Sequence, residues 1–152
     1  MRLPKNFETS VFVLLILATQ KDHLPLKSTQ LSTLLEVSDS SLKKTLRKLV
    51  VANLVTSNAS KDGGFTLKKA ITQITLADVL LAVEDQQLLA YQPSQLTTRL
   101  FRNPAHIEQS EALIQTTLRQ GEQALTTALS QLSLADLLED NAFETGVVDW
   151  QA

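Results

Sequence analysis

Two helical patterns in this chain stand only two residues apart, and that spacing limits the fold more than any other feature. Leu31, Leu34 and Leu35 fall on one face of a stretch that Ser28 can cap. After Glu36 and Val37, Ser38 caps a further stretch in which Leu42, Leu46 and Leu49 recur at i, i+4 and i+7. Two apolar helix faces joined so tightly describe a helix-turn-helix.

The flanking sequence completes a small domain. Asn6 to Thr19 reads as a first helix, ended by Gln20-Lys21-Asp22-His23 and Pro25. Its apolar run Val11 to Ala18, preceded by Arg2 and Lys5, imitates a secretory signal. Eight residues are too few to span a bilayer, no small-residue cleavage site follows, and Glu8 sits where signals avoid acid. A buried helix is expected, and with no other stretch near transmembrane length the chain reads as cytoplasmic, with no membrane partner. The third helix stops at Ala52-Asn53, where Asn suits a left-handed C-cap. Extended residues 54–57, a polar loop 58–64 and Phe65-Thr66-Leu67 then form a wing, with Gly63-Gly64 supplying the positive φ of its turn.

Thr75 caps a fourth helix from Leu76 to about Gln87, and residues 88–106 read as irregular, with Pro93 and Pro104 as breakers. From Ile107 to Leu132 there is no Pro, so one helix of roughly 38 Å is expected. Ser133 starts a short helix, Leu134 to Asn141; the sequence assigns no role to Trp150. The runs Ile74–Leu80 and Leu132–Leu138 look alike, each a hydroxyl cap with an Asp in the first turn, the same capping chemistry used twice. The expected class is mainly α with a small β-wing: a winged helix-turn-helix domain at 1–87, a connecting segment at 88–106, and residues 107–152 carrying a long dimerisation helix and a C-terminal helix and tail.

Composition narrows the function. The 152 residues contain no Cys and only two His, at 23 and 106, which argues against disulfides, thiolate metal sites and any bound metal or cofactor. No Walker loop, GxGxxG, HExxH or GxSxG is present, and the acidic groups of the second half are spread along helices, so no catalytic residues are assigned and an enzyme is not expected. The formal net charge of -2 conceals an uneven distribution. Residues 1–75 hold eleven Lys/Arg against five Asp/Glu, whereas residues 76–152 hold three against eleven. One end of the chain suits a polyanion and the other repels it.

That cationic end coincides with the helix-turn-helix. Burying Leu42, Leu46 and Leu49 turns Ser40, Lys43, Lys44, Arg47 and Lys48 outward, a shape and charge suited to a major groove. Ser38, Ser40 and Ser41 at the helix start can bond phosphates beside free backbone N–H groups, or reach a base edge. Lys61 stands at the wing tip, where it can track a phosphate backbone, while Phe65 is expected to pack inward. The candidate DNA contacts are Ser38, Ser40, Ser41, Lys43, Lys44, Arg47 and Lys61. On the long helix, Ile114, Leu118, Gly121, Leu125 and Ala128 follow steps of three and four and are the candidate dimerisation seam.

Met1-Arg2-Leu3, the stretch Leu31 to Leu54, the wing residues Gly63 to Leu67 and the run Ile74 to Glu84 together resemble the Rrf2 family of bacterial winged-helix transcription regulators. The likeness covers nearly the whole chain. It implies a dimeric DNA-binding protein, usually a repressor. Many members hold an iron–sulfur cluster through three cysteines between the fourth helix and the dimerisation helix; with no Cys here, the resemblance is to cluster-free members. Asn53 stands where the family usually has Gly, and Ser41 where Tyr is frequent. The expected function is a homodimeric transcriptional repressor on a palindromic double-stranded DNA operator, with residues 88–106 facing a small-molecule or protein effector. The alternative is a winged-helix module whose partners are proteins.

Overall fold

The computed structural model describes residues 2–85 and 87–152. They form two compact units, Met1–Asp85 together with Leu129–Ala152, and Gln86–Ala128.

The first unit is built around α1, Asn6–Thr19. Val11, Val13, Leu14, Ile16, Leu17 and Ala18 are all buried, so the run that imitates a signal is the central core helix. A helix apolar almost all round must be covered on several sides, and α2 (Ser28–Leu35), α3 (Asp39–Val51) and α4 (Leu76–Val83) provide that cover. α3 contributes Leu42, Leu46 and Leu49, each at most 1 % exposed. Its start is capped by Ser38, whose Oγ accepts from the Ser41 N–H at 3.3 Å, and Asn53 beyond its end takes φ 60°, as the C-cap expectation required. Ser28, in contrast, is the first helical residue of α2 rather than its cap; the Gln30 side chain instead accepts from the Lys27 N–H at 2.8 Å.

The wing is an antiparallel pair, β1 (Val55–Asn58) and β2 (Gly64–Leu67), with Val55 opposite Leu67 and Asn58 opposite Gly64. Both glycines are required, for different reasons. Gly64 has φ +147° and a Cβ there would lie 2.6 Å from the Leu26 carbonyl oxygen; at Gly63 a Cβ would lie 2.1 Å from that of Asn58. Phe65 packs against the core and exchanges backbone hydrogen bonds with Leu26 at 2.8 and 3.1 Å, which fastens β2 to the chain ahead of α2.

α4 stops at Val83 rather than near Gln87. Its look-alike partner in the sequence lies beside it: Thr75 and Ser133 form an antiparallel bridge, and each opens a capping box with the Asp three residues on. The C-terminal turn of 3₁₀ helix covers only Leu134–Leu137, not 134–141. Residues from 130 onward, grouped by sequence with the long helix, belong to the first unit. They run along the end of α1, where the Val147 and Val148 N–H groups donate to Thr19 O and the Lys21 N–H donates to Val148 O at 2.8 Å. Trp150 completes this attachment: its indole Nε1 donates to Thr19 Oγ1 at 3.0 Å and its backbone N–H to Gln20 Oε1 at 2.8 Å.

The second unit contains α5 (Leu96–Leu100) and α6 (Pro104–Leu129). α5 falls in the stretch expected to be irregular. Pro104 opens α6 instead of blocking it, since the first turn of a helix needs no N–H donor from Pro. Asn103 Oδ1 accepts from the His106 N–H at 3.4 Å at that start. Among the described residues no helix is long and apolar enough to cross a membrane.

Candidate nucleic-acid interface

α3 is the element whose two faces differ most in chemistry. Its inner face is spent on Leu42, Thr45, Leu46 and Leu49, all buried. With those side chains fixed inward, helical geometry turns Ser40, Ser41, Lys43, Lys44 and Arg47 to solvent, and all five are exposed. Ser38 and Lys61 are exposed as well, so each of the seven candidate DNA contacts is accessible.

Their engagements differ. The Ser38 oxygen is already an acceptor in the helix cap, which leaves its hydroxyl hydrogen available to a phosphate. Lys43 Nζ lies 2.8 Å from Asp39 Oδ2, one helical turn back. The Lys43 ammonium holds the Asp39 carboxyl below its ordinary value of 3.8. Lys44 and Arg47 make no ion pair among the described residues and carry the uncommitted positive charge of the helix.

Lys48 departs from expectation. Helical periodicity puts it in the outward stripe, yet its Nζ donates to the Val83 carbonyl at 3.0 Å and to Asp85 Oδ2 at 2.7 Å. The ammonium sits at the carbonyl end of α4, where a cation complements the helix dipole. The Asp39–Lys43 pairing was legible as an i,i+4 acid–base spacing; the Lys48–Asp85 pairing, 37 residues apart, had no local signal.

The wing presents Lys61 at the tip of loop 59–63, held by two turn bonds: Asn58 Oδ1 accepts from the Ser60 N–H at 3.0 Å and Ser60 O from the Gly63 N–H at 2.9 Å. Lys61 and the exposed cations of α3 thus belong to the same unit and are both open to solvent.

In the second unit the expected seam divides. Ile114 is 44 % exposed, and Gly121 and Ala128 are also exposed, while Leu118 and Leu125 are half-buried. Leu118 lines a groove with Leu89 and Tyr91, the Leu88 N–H donates to Glu122 Oε1 at 3.1 Å, and a Cβ at Gly121 would meet Leu89 at 3.6 Å. One flank of the stripe is thus covered by the chain's own residues 88–91. Leu113, 63 % exposed, extends the open flank; it lies off the three-four pattern and was not singled out.

His106 stands in the first turn of α6, and among the described residues no three His, Asp or Glu side chains gather as a metal site. Iron–sulfur clusters are held by thiolates, and with no Cys in the sequence the donor set does not fit one.

Known proteins resemble this chain in sequence and in fold. A family profile described as Rrf2, iron-dependent transcriptional regulator, matches residues 3–140. A Lactococcus lactis protein named as an HTH-type transcriptional regulator, YffB, is 34% identical over 143 residues, covering 94% of this chain and 90% of its own. A Bacillus subtilis protein named in the same way, YwgB, is 33% identical over 139 residues, covering 91% and 85%. In structure the chain resembles CymR, the global cysteine regulator of B. subtilis, with a TM-score of 0.63 over 90% of this chain and 95% of that one; at 18% identity this likeness concerns the fold.

Proposed function

Because the chain belongs to the Rrf2 family of transcriptional regulators, we propose that it acts as a cluster-free homodimeric repressor that sets two winged-helix units on a palindromic operator in double-stranded DNA. The observation that carries this reading is the division of labour on α3. Its leucines are consumed by its own core, and its free cations, Lys44 and Arg47, point away from the fold on the same unit as Lys61. Ser38, Ser40 and Ser41 supply short polar contacts at the helix start, and Lys43 joins them once it leaves Asp39. The open flank of α6, Leu113, Ile114 and Ala128, pairs with a second copy, and Leu118, Gly121 and Leu125 border that contact. The operator this reading requires has half-sites one turn of DNA, about 34 Å, apart. Residues 88–106 face the effector. The protein works in the cytoplasm as a regulator and not as a catalyst.

The reading is tested by mobility shift with random-sequence duplex DNA at low and moderate salt. Binding that weakens steeply with salt is expected, because several phosphates are neutralised; absence of binding at low salt overturns it. A protein-binding role has its own footing in Val51 and Leu81, 73 % and 57 % exposed, which line a groove between α3 and α4. That role gains ground if the duplex is ignored.

A further inference from the structure

We propose that Lys48, although it stands on the recognition helix among DNA-facing cations, is a positioning residue: it ties α3 to the point where the chain leaves the first unit. The inference rests on the DNA-binding reading and deepens it. Lys48 Nζ spans two acceptors, the last carbonyl of α4 at Val83 and the carboxylate of Asp85, at 3.0 and 2.7 Å. Asp85 is the final residue of the first unit before residues 86–128. The Lys48 side chain is only 29 % exposed, so its stem is packed between the two helices and its charge is already matched, unlike that of Lys44 or Arg47.

Geometry gives this strap a consequence. α3 and α4 pack together, and Lys48 lies in the last turn of α3. The Lys48 ammonium thus spans from the last turn of α3 to the carbonyl end of α4 and the carboxylate two residues beyond it. The pair therefore fixes the last turn of α3 against the carbonyl end of α4. It favours one orientation of the helix over others, and so acts on discrimination between DNA sequences more than on attraction to phosphate.

Two duplexes separate these roles: one of random sequence, about 30 base pairs and so roughly three turns long, and one selected from genomic fragments by the wild-type protein. Binding is followed by fluorescence anisotropy between about 50 and 200 mM salt. On the random duplex, Lys44→Ala is expected to flatten the log–log salt slope by about 1.8, the loss of one phosphate contact from each protomer of the bound dimer, whereas Lys48→Met leaves it unchanged. On the selected duplex, Lys48→Met and Asp85→Asn are each expected to lower the preference over random DNA about fivefold, and the double variant no further, because both break one interaction. Lys48→Arg, which can still reach both acceptors, should retain the preference. Asp85 is 75 % exposed, so Asp85→Asn folds even if Lys48→Met does not. A flatter salt slope in Lys48→Met, or an undiminished preference in Asp85→Asn, overturns the proposal. Failure of the wild-type protein to bind either duplex overturns the DNA-binding reading beneath it.

Discussion

α3 and α6 are both amphipathic helices, yet they use their apolar sides in opposite ways. In α3 every leucine is buried within its own unit, and apart from Val51 at its last position the exposed residues are Ser, Lys and Arg. In α6 only Ile107 is buried, while Leu113 and Ile114 lie open. A helix whose apolar stripe is consumed by its own fold is free to expose charge. One with apolar surface left over exposes a patch that water disfavours and a partner can cover. The first pattern suits a duplex; the second suits another copy of the same helix.

The largest effect should come from the inner side of α3. Leu46→Ala, at a fully buried site, is expected to cost about 2–5 kcal/mol in urea unfolding; a loss below about 1 kcal/mol would mean the inner leucines do not hold the helix in place. Trp150→Ala comes next, at about 2–3 kcal/mol, through lost packing on the core and the bond to Thr19. A neutral outcome there would show that the tail is not anchored through α1.

On α6 the change should be in mass rather than stability. Ile114→Asp is expected to give monomers by light scattering while altering the unfolding of either unit by less than about 0.5 kcal/mol, as an exposed site should. An unchanged dimer would place the interface elsewhere. Leu118 is a poorer probe than its sequence position suggests, because Leu89 and Tyr91 already border it.

The smallest effect is at Asp39. Asp39→Asn frees Lys43 and is expected to steepen the salt dependence on random duplex DNA by up to about 1.8, one contact from each protomer of the dimer; no change would show that Lys43 does not reach phosphate. The pair also has a defined pH response. Because Lys43 holds the folded Asp39 carboxyl below 3.8, its contribution to stability is complete above that value and disappears as pH falls through the lowered one. Thermal unfolding of the wild type and of Asp39→Asn should therefore converge in acid.

Much of the fold was legible because its signals are local. Ser38, Thr75 and Ser133 cap where a hydroxyl precedes an apolar repeat, and Asn53 takes the left-handed conformation that ends α3. Errors fell where local preference was overruled or incomplete. Ser28 gave way to a Gln30 bond as the cap of α2, and Pro104 opened a helix because a proline is harmless in the first turn. The outward stripe of α3 followed from periodicity alone, but periodicity could not reveal that Lys48 is partnered by Asp85, 37 residues along the chain.

The amino-acid order alone dictated the capped helices, the glycine-dependent hairpin and the placement of positive charge on one helix face, since each depends on residues within a few positions of one another. Folding in three dimensions decided that Lys48 turns to Asp85, that half of the α6 stripe is covered by residues 88–91, and that Trp150 returns to Thr19. Those bonds join residues as far as 131 positions apart, and they form only when stacked helices bring the groups within reach.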